Sequence, residues 1–186
     1  MEIIETGIAG LIEIVPTVYC DERGSFYELY NEQRYREAGI VNTFCQENCS
    51  FSVYGVIRGL HYQNPPFSQA KLATCADGII LDVAVDLRID SATYGQWRSV
   101  ILDSKRHNQF LIPKGFAHGF SVLSQTACFS YRCDSFYHPE AEGGILYSDA
   151  DLGIDWRIPK DKQILSEKDL KFPRFKDFSS LFRMSD

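Results

Sequence analysis

Apolar residues in this chain come in short runs, alternating with polar ones, and Gly, Pro, Asp or Asn interrupts them about every ten residues. Side chains on a strand point to opposite faces in turn, so this rhythm predicts an all-β sandwich or barrel. LIEIV, SFYELY, IILDVAVDLR, WRSVIL, QFLIP and FSVLSQTACFSYR all carry it. In IILDVAVDLR the alternation sets Ile80, Asp82, Ala84 and Asp86 on one face and Ile79, Leu81, Val83, Val85 and Leu87 on the other. The acidic face either meets solvent or lines a polar cavity, and the pattern alone tips slightly toward solvent.

Helical pattern is sparse. NEQRYREAGI predicts a short helix from about Asn31 to Ala38, with Gly39 as its stop because glycine takes the left-handed C-terminal conformation cheaply. A second candidate starts at Ser166, where SEKD resembles a capping box with Asp in place of the usual Glu or Gln. From Pro159 onward the two-residue period is lost, which reads as a polar tail packed on the barrel. With 186 residues and 45% apolar content, the expectation is one domain over 1–186 with a real core.

Nineteen basic against 25 acidic residues give a net charge of -6, which argues against nucleic-acid or acidic-membrane binding but allows a small anion in a local basic pocket. No apolar run approaches a membrane span, and MEIIETGIAG lacks the basic start and apolar stretch of a leader, so a cytoplasmic location is expected. Cys20, Cys45, Cys49, Cys75, Cys128 and Cys133 are scattered without zinc-site spacing and read as reduced thiols; Cys45 and Cys49 are the pair with a chance of lying close.

Two stretches concentrate chemistry. VIRGLHYQNPPF runs from an apolar pair into Arg58, His61 and Gln63, and FLIPKGFAHGF follows about fifty residues later with Pro113, Gly115 and His118. Together they resemble the two halves of a cupin-like double-stranded β-helix, a jelly roll. Metal-binding cupins present a His-x-His pair and a Glu in the first half, whereas here His61 stands alone. Two imidazoles are too few for a tight transition-metal site, so metal is the lesser reading and acid–base chemistry the leading one.

In order and spacing, VIRGLHYQ, KLATCADGIILDVAVDLR, ATYGQW, FLIPKGFAHGF, FSYRCDSFY and EGGILYSDADLGIDW resemble the dTDP-4-dehydrorhamnose 3,5-epimerase family. CDERGSFYE and LSEKDL extend the likeness over nearly the whole chain. The resemblance implies a homodimeric jelly roll without metal or other cofactor, inverting carbons 3 and 5 of a dTDP-linked 4-keto-6-deoxyhexose. Both carbons adjoin the keto group, so each inversion needs a base, an acid across the ring and a group that holds enolate charge.

By resemblance His61 is the base, and an imidazole of unperturbed pKa about 6.5 suits proton traffic near neutrality. Asp169 is the carboxylate that orients it, although its place in SEKD equally fits a helix cap, and one carboxylate does not readily serve both. Tyr131 is the acid, against an ordinary reading as core aromatic; Lys71 holds the oxyanion, against an ordinary solvated lysine. His118 and Asp82 support the site or touch the sugar, and Tyr137 lies near the substrate. The nucleotide falls to Tyr19, Arg23, Phe26, Glu28, Gln46, Asn48 and Arg58, since arginine forks suit a diphosphate and aromatics stack on a base. Arg23 and Glu28 read alternatively as surface ion-pair partners.

Three geometrical expectations follow. Arg58 and His61 are an odd number of residues apart, so both reach one pocket only if the strand bulges near Gly59. LIEIVPTVYC is expected to add a strand to a neighbour's sheet, carrying some nucleotide contacts across a dimer interface. Competing functions are an epimerase acting at one carbon only, or a cupin that merely binds a sugar or metal.

Overall fold

A computed structural model of the chain describes residues 1–185. Its strands are β1 Glu2–Glu5, β2 Ile12–Val15, β3 Val18–Asp21, β4 Gly24–Tyr27, β5 Gln46–Val53, β6 Ile57–Gln63, β7 Lys71–Asp77, β8 Ile79–Asp86, β9 Trp97–Asp103, β10 Gln109–Ile112, β11 Phe116–Val122, β12 Thr126–Cys133 and β13 Glu142–Gly144. A six-stranded sheet runs β1-β2-β10-β7-β12-β5, a five-stranded sheet runs β13-β6-β11-β8-β9, and β3 and β4 form a separate ribbon. All the strand pairings are antiparallel. The expected jelly-roll barrel is what forms. FSVLSQTACFSYR divides between β11 and β12, and SFYELY is strand only through Tyr27.

The two large sheets face one another across one apolar layer: Ala73, Cys75, Phe110, Ile112 and Phe129 from the first meet Ile80, Ala84, Leu102, Phe120 and Val122 from the second. Each large side chain removed from water here stabilises the fold by roughly 1.5–3 kcal/mol. A second cluster covers the outside of the five-stranded sheet, where Leu81, Val83, Val85 and Leu87 pack under Ile145, Leu152, Trp156 and Phe182. Strand β8 is therefore buried on both faces. The solvent reading of its acidic face is overturned, because Asp82 and Asp86 are both 0% exposed. Asp86 is accommodated by Arg88, whose Nε and Nη2 each donate at 2.8 Å, and by the Ser91 and Thr93 hydroxyls. Burial pushes its acid form up, but these donors outweigh it and hold the carboxyl below the usual range.

The helix α1 spans Glu32–Glu37, with Asn31 as cap accepting from the Arg34 N–H, and Gly39 follows with φ 84. It covers the outside of the six-stranded sheet, burying Tyr35 among Ile12, Ile14, Leu72 and Leu111, and the Tyr35 hydroxyl donates to Gln109 Oε1. Asn31→Ala is expected to lower stability by about 1 kcal/mol, read by urea unfolding.

One expectation fails here and another narrows. No α-helix begins at Ser166; the segment is a 3-10 turn, Asp169–Lys171, docked on β6. Within LIEIVPTVYC, Ile12–Val15 is not free to join a neighbour, since β2 already pairs with β1 and β10 of its own sheet, whereas β3 pairs only with β4 in the separate ribbon. The tail beyond Pro159 lies on the barrel, its Ile164 bridging Val56 and its Phe175 and Phe178 packing on the second cluster. No helix among the described residues is long and apolar enough to cross a membrane.

Candidate active site

The geometry at Gly59 sets how β6 presents Arg58 and His61. On β11, His118 lies opposite His61 and Phe120 lies opposite Arg58, so three steps along β6 match two along β11. That is a bulge, as the spacing of Arg58 and His61 demanded, and it turns both side chains to the inner face. Gly59 sits in it with φ 132, and the Gly59–Leu60 peptide is cis. His118 lies opposite Ala84 and Phe120 opposite Asp82, which places His61, Arg58, His118 and Asp82 on the same inner surface of the five-stranded sheet.

His61 Nε2 and Asp169 Oδ1 are 2.7 Å apart, with the Asp169 side chain only 4% exposed and His61 29%. Burial pushes the Asp169 acid form up; the bond to His61, its charge, the Gly59 N–H and Ser166 together outweigh this and hold the carboxyl below its ordinary value. The competition between capping and pairing resolves by division. Ser166 Oγ accepts from the Asp169 backbone N–H at 3.1 Å, while the Asp169 carboxylate goes to the imidazole. With Nε2 engaged, Nδ1 is the ring nitrogen not committed to this carboxylate.

Beside this pair, His118 Nε2 and Asp82 Oδ1 are 2.6 Å apart and buried. Desolvation dominates over the attraction of Asp82 and lowers the His118 pKa, so the ring is neutral and donates its N–H to the carboxylate. Asp82 Oδ2 is buried without a hydrogen-bond partner among the described residues.

The six-stranded sheet supplies the opposite wall. Tyr131 on β12 faces inward with its ring centroid 6.3 Å from that of His118, and Lys71 Nζ on β7 lies 5.6 Å from the Tyr131 centroid. Burial raises the Tyr131 phenol, keeping it protonated, and lowers the Lys71 ammonium, against the pull of Cys133, Asp82 and Glu142. Asn48 stands opposite Tyr131 on β5, and Gln46 Nε2 donates to Asn48 Oδ1 at 3.0 Å. Tyr137 joins this wall through its backbone N–H, which donates to Gln46 Oε1, and its hydroxyl, which donates to Glu142 Oε2 at 2.8 Å.

Ten of the expected site residues thus converge: His61, Asp169, Lys71, Tyr131, Asp82, His118, Arg58, Gln46, Asn48 and Tyr137. Tyr19, Arg23, Phe26 and Glu28 do not. They lie on or next to the β3–β4 ribbon, whose concavity of about 420 Å³ is lined by Tyr19, Arg23 and Phe26 but by none of the converging residues. Tyr19 and Phe26 are 65% and 73% exposed. Arg23 pairs with Asp21 at 2.6 Å and Glu28 with Arg34 at 3.2 Å, as the surface-pair reading had it for this chain alone.

Sequence reasoning missed Glu142, Lys168 and Phe172. Lys168 Nζ is 2.6 Å from Glu142 Oε2, and Glu142 lies opposite Gln63, two positions from His61 along β6. Phe172 packs against His61 itself. They stand in irregular segments with no period to mark them; only the closeness of Lys168 to Asp169 in sequence was a signal. Both histidines commit Nε2 to a carboxylate, and no group of three or more His, Cys, Asp or Glu suited to a metal occurs among the described residues. All six cysteines are free thiols, and the close sulfurs are Cys49 and Cys128, 3.3 Å apart across β5 and β12, rather than Cys45 and Cys49.

A jelly roll with an imidazole–carboxylate pair on one inner wall and a phenol and amine on the other defines a class: barrel enzymes that work by moving protons. A family model described as dTDP-4-dehydrorhamnose 3,5-epimerase matches residues 5–177. The enzyme of that name from Methanothermobacter thermautotrophicus is 48% identical over 167 residues, covering 89% of this chain and 90% of its own. The crystal structure of the Elizabethkingia anophelis enzyme is 50% identical with a TM-score of 0.91, covering 95% of this chain and 97% of that one. That of the Legionella pneumophila enzyme, in complex with dTDP-4-keto-L-rhamnose, is 47% identical, also at 0.91, covering 96% and 94%. This chain belongs to the dTDP-4-dehydrorhamnose 3,5-epimerase family.

Proposed function

We propose that the protein converts dTDP-4-keto-6-deoxy-D-glucose to dTDP-4-keto-L-rhamnose by removing and returning protons at carbons 3 and 5. The observation that carries this reading is His61 on one sheet, paired with Asp169 from the turn docked on it, with Tyr131 and Lys71 on the sheet opposite. His61 takes the proton at Nδ1, and Asp169 stabilises the imidazolium that forms. The Lys71 ammonium holds the enolate charge that develops at the 4-keto oxygen. Tyr131 returns a proton to the other face, which completes the inversion. Asp82 and His118 hold the floor of the site, and His118 offers a neutral ring to the sugar. Arg58 meets the diphosphate, with Gln46, Asn48 and Tyr137 alongside.

The ribbon residues Tyr19, Arg23, Phe26 and Glu28 serve the site of a second copy in a homodimer, which accounts for their exposure in this chain. The protein works in the cytoplasm as one domain over 1–186, without a resident metal or cofactor. Deuterium wash-in from heavy water, read by NMR at each sugar carbon, tests the reaction. Label at carbons 3 and 5 is expected, whereas label at one carbon alone restricts the enzyme to a single-carbon epimerase.

A pH prediction follows from the opposed shifts of Lys71 and Tyr131. Burial lowers the Lys71 pKa and raises that of Tyr131, and with Lys71 as the group that holds the enolate charge the alkaline fall of kcat/KM is expected to follow its deprotonation. Tyr131→Phe is expected to lower kcat while leaving the alkaline limb where it was. Disappearance of that limb in Tyr131→Phe contradicts the assignment.

A further inference from the structure

The Asp169 hydrogen bond holds one atom of the His61 ring but leaves the ring free to pivot about it. A second contact is needed to set the plane. Phe172 supplies one: its ring centroid is 5.6 Å from that of His61 with an interplanar angle of 67°, an edge-to-face arrangement within the favourable range for aromatic pairs. Phe172 reaches that place through a gap in the neighbouring strand. Gly144 lies directly opposite His61 in the β13–β6 pairing. A Cβ on Gly144 would stand 2.6 Å from the Cε2 and Cζ of Phe172 and 2.7 Å from the Leu60 carbonyl oxygen, far inside contact distance.

The backbone fixes the ring from behind. Leu146 N–H donates to the Pro173 carbonyl at 2.8 Å, tying the residue after Phe172 to the strand end beside Gly144. Lys168 Nζ, paired with Glu142, lies 6.0 Å from the Phe172 centroid. The ring is thus bounded by Gly144 and Lys168, and His61 lies against it.

We infer that Phe172, seated in the slot that Gly144 leaves open, is a positioning residue that fixes the plane of the His61 imidazole and so aims Nδ1 at the sugar. The inference rests on His61 being the base. Proton abstraction depends steeply on alignment, and a misplacement of about 1 Å costs on the order of a hundredfold in rate. The nucleotide contacts lie elsewhere, so substrate binding is not expected to change with it.

The test compares wild type, Phe172→Ala, Phe172→Leu and His61→Ala for kcat, KM and deuterium wash-in on dTDP-4-keto-6-deoxy-D-glucose, with the ¹⁵N signals of the histidine rings and the melting temperature as companions. Phe172→Ala should lower kcat and wash-in about 10- to 100-fold with KM within about twofold, and the His61 ring signals should broaden as the ring begins to pivot. Phe172→Leu, which refills the slot without a flat ring, should stay folded and lose severalfold in kcat with the same broadening; it decides the matter if Phe172→Ala does not fold. Either folded variant at wild-type kcat with sharp ring signals, or a loss confined to KM, overturns the inference while His61→Ala remains inactive. Near wild-type wash-in by His61→Ala instead overturns the assignment of the base, and this inference with it.

Discussion

Replacing His61 with alanine is expected to slow solvent exchange at both sugar carbons by about a thousandfold while the dTDP-sugar dissociation constant stays within a few fold. The split arises from geometry. The imidazole is only 29% exposed, on the inner wall of the five-stranded sheet beside the carboxylate that polarises it. The proposed nucleotide contacts stand apart from the ring, with Arg58 three residues away on the same strand and Gln46 and Asn48 on the other sheet, so binding is expected to outlast the loss of His61. Asp169→Asn should fall between wild type and His61→Ala, because the amide still orients the ring but no longer stabilises the imidazolium. Isotope exchange measured by NMR, with binding measured by calorimetry, separates the two effects. Exchange by His61→Ala at a near wild-type rate shows that the base lies elsewhere.

Gly59→Ala is expected to cost at least ~3 kcal/mol of stability and to abolish activity in whatever fraction folds. Two penalties combine at this position. The φ of 132 lies where side chains are strained, and an added Cβ would stand 2.5 Å from Gly119 Cα and 2.9 Å from the His118 carbonyl oxygen. Both neighbours are backbone, so relief requires β6 and β11 to separate at the bulge that aims Arg58 and His61. Gly24 is the natural control, since its φ of 123 is similar but nothing lies within 4 Å of its missing Cβ. Urea unfolding of Gly24→Ala should show the backbone strain alone. Equal stability for the two variants contradicts the argument that close approach of the strands requires Gly59.

The strands were legible because their signal is local. Alternation at period two comes from the pleat of a single strand, and LIEIV, IILDVAVDLR, WRSVIL and QFLIP announce β2, β8, β9 and β10 without reference to any neighbour. The helix after Asn31 was legible for the same reason, through the pattern of NEQRYREAGI and its terminating Gly39, although the structure alone showed Asn31 as its cap. The bulge at Gly59 was legible at one remove: if Arg58 and His61 serve one pocket, an extra residue must lie between them.

Burial was less readable. Alternation separates the two faces of β8 but does not say what covers each, so for Asp82 and Asp86 it left solvent and a polar cavity both open and tipped slightly toward solvent. The covering groups are the opposite sheet on one side and Ile145, Leu152, Trp156 and Phe182 on the other. The fate of Asp169 was undecidable for a related reason, because Ser166 lies three residues away whereas His61 lies 108 residues away. The local partner was visible and the distant one was not.

The amino-acid sequence by itself therefore determined the strand content, the short helix, the family and the residue types available for proton transfer, all of which depend on neighbours along the chain. Only the tertiary structure decided that the Asp169 carboxylate belongs to His61, that Asp82 is buried against His118, that Phe172 fills the space beside Gly144, and that the ribbon carrying Arg23 and Phe26 stands away from the site. Each of these depends on which distant segments the fold brings together or keeps apart, and local periodicity carries no information about distance across a barrel.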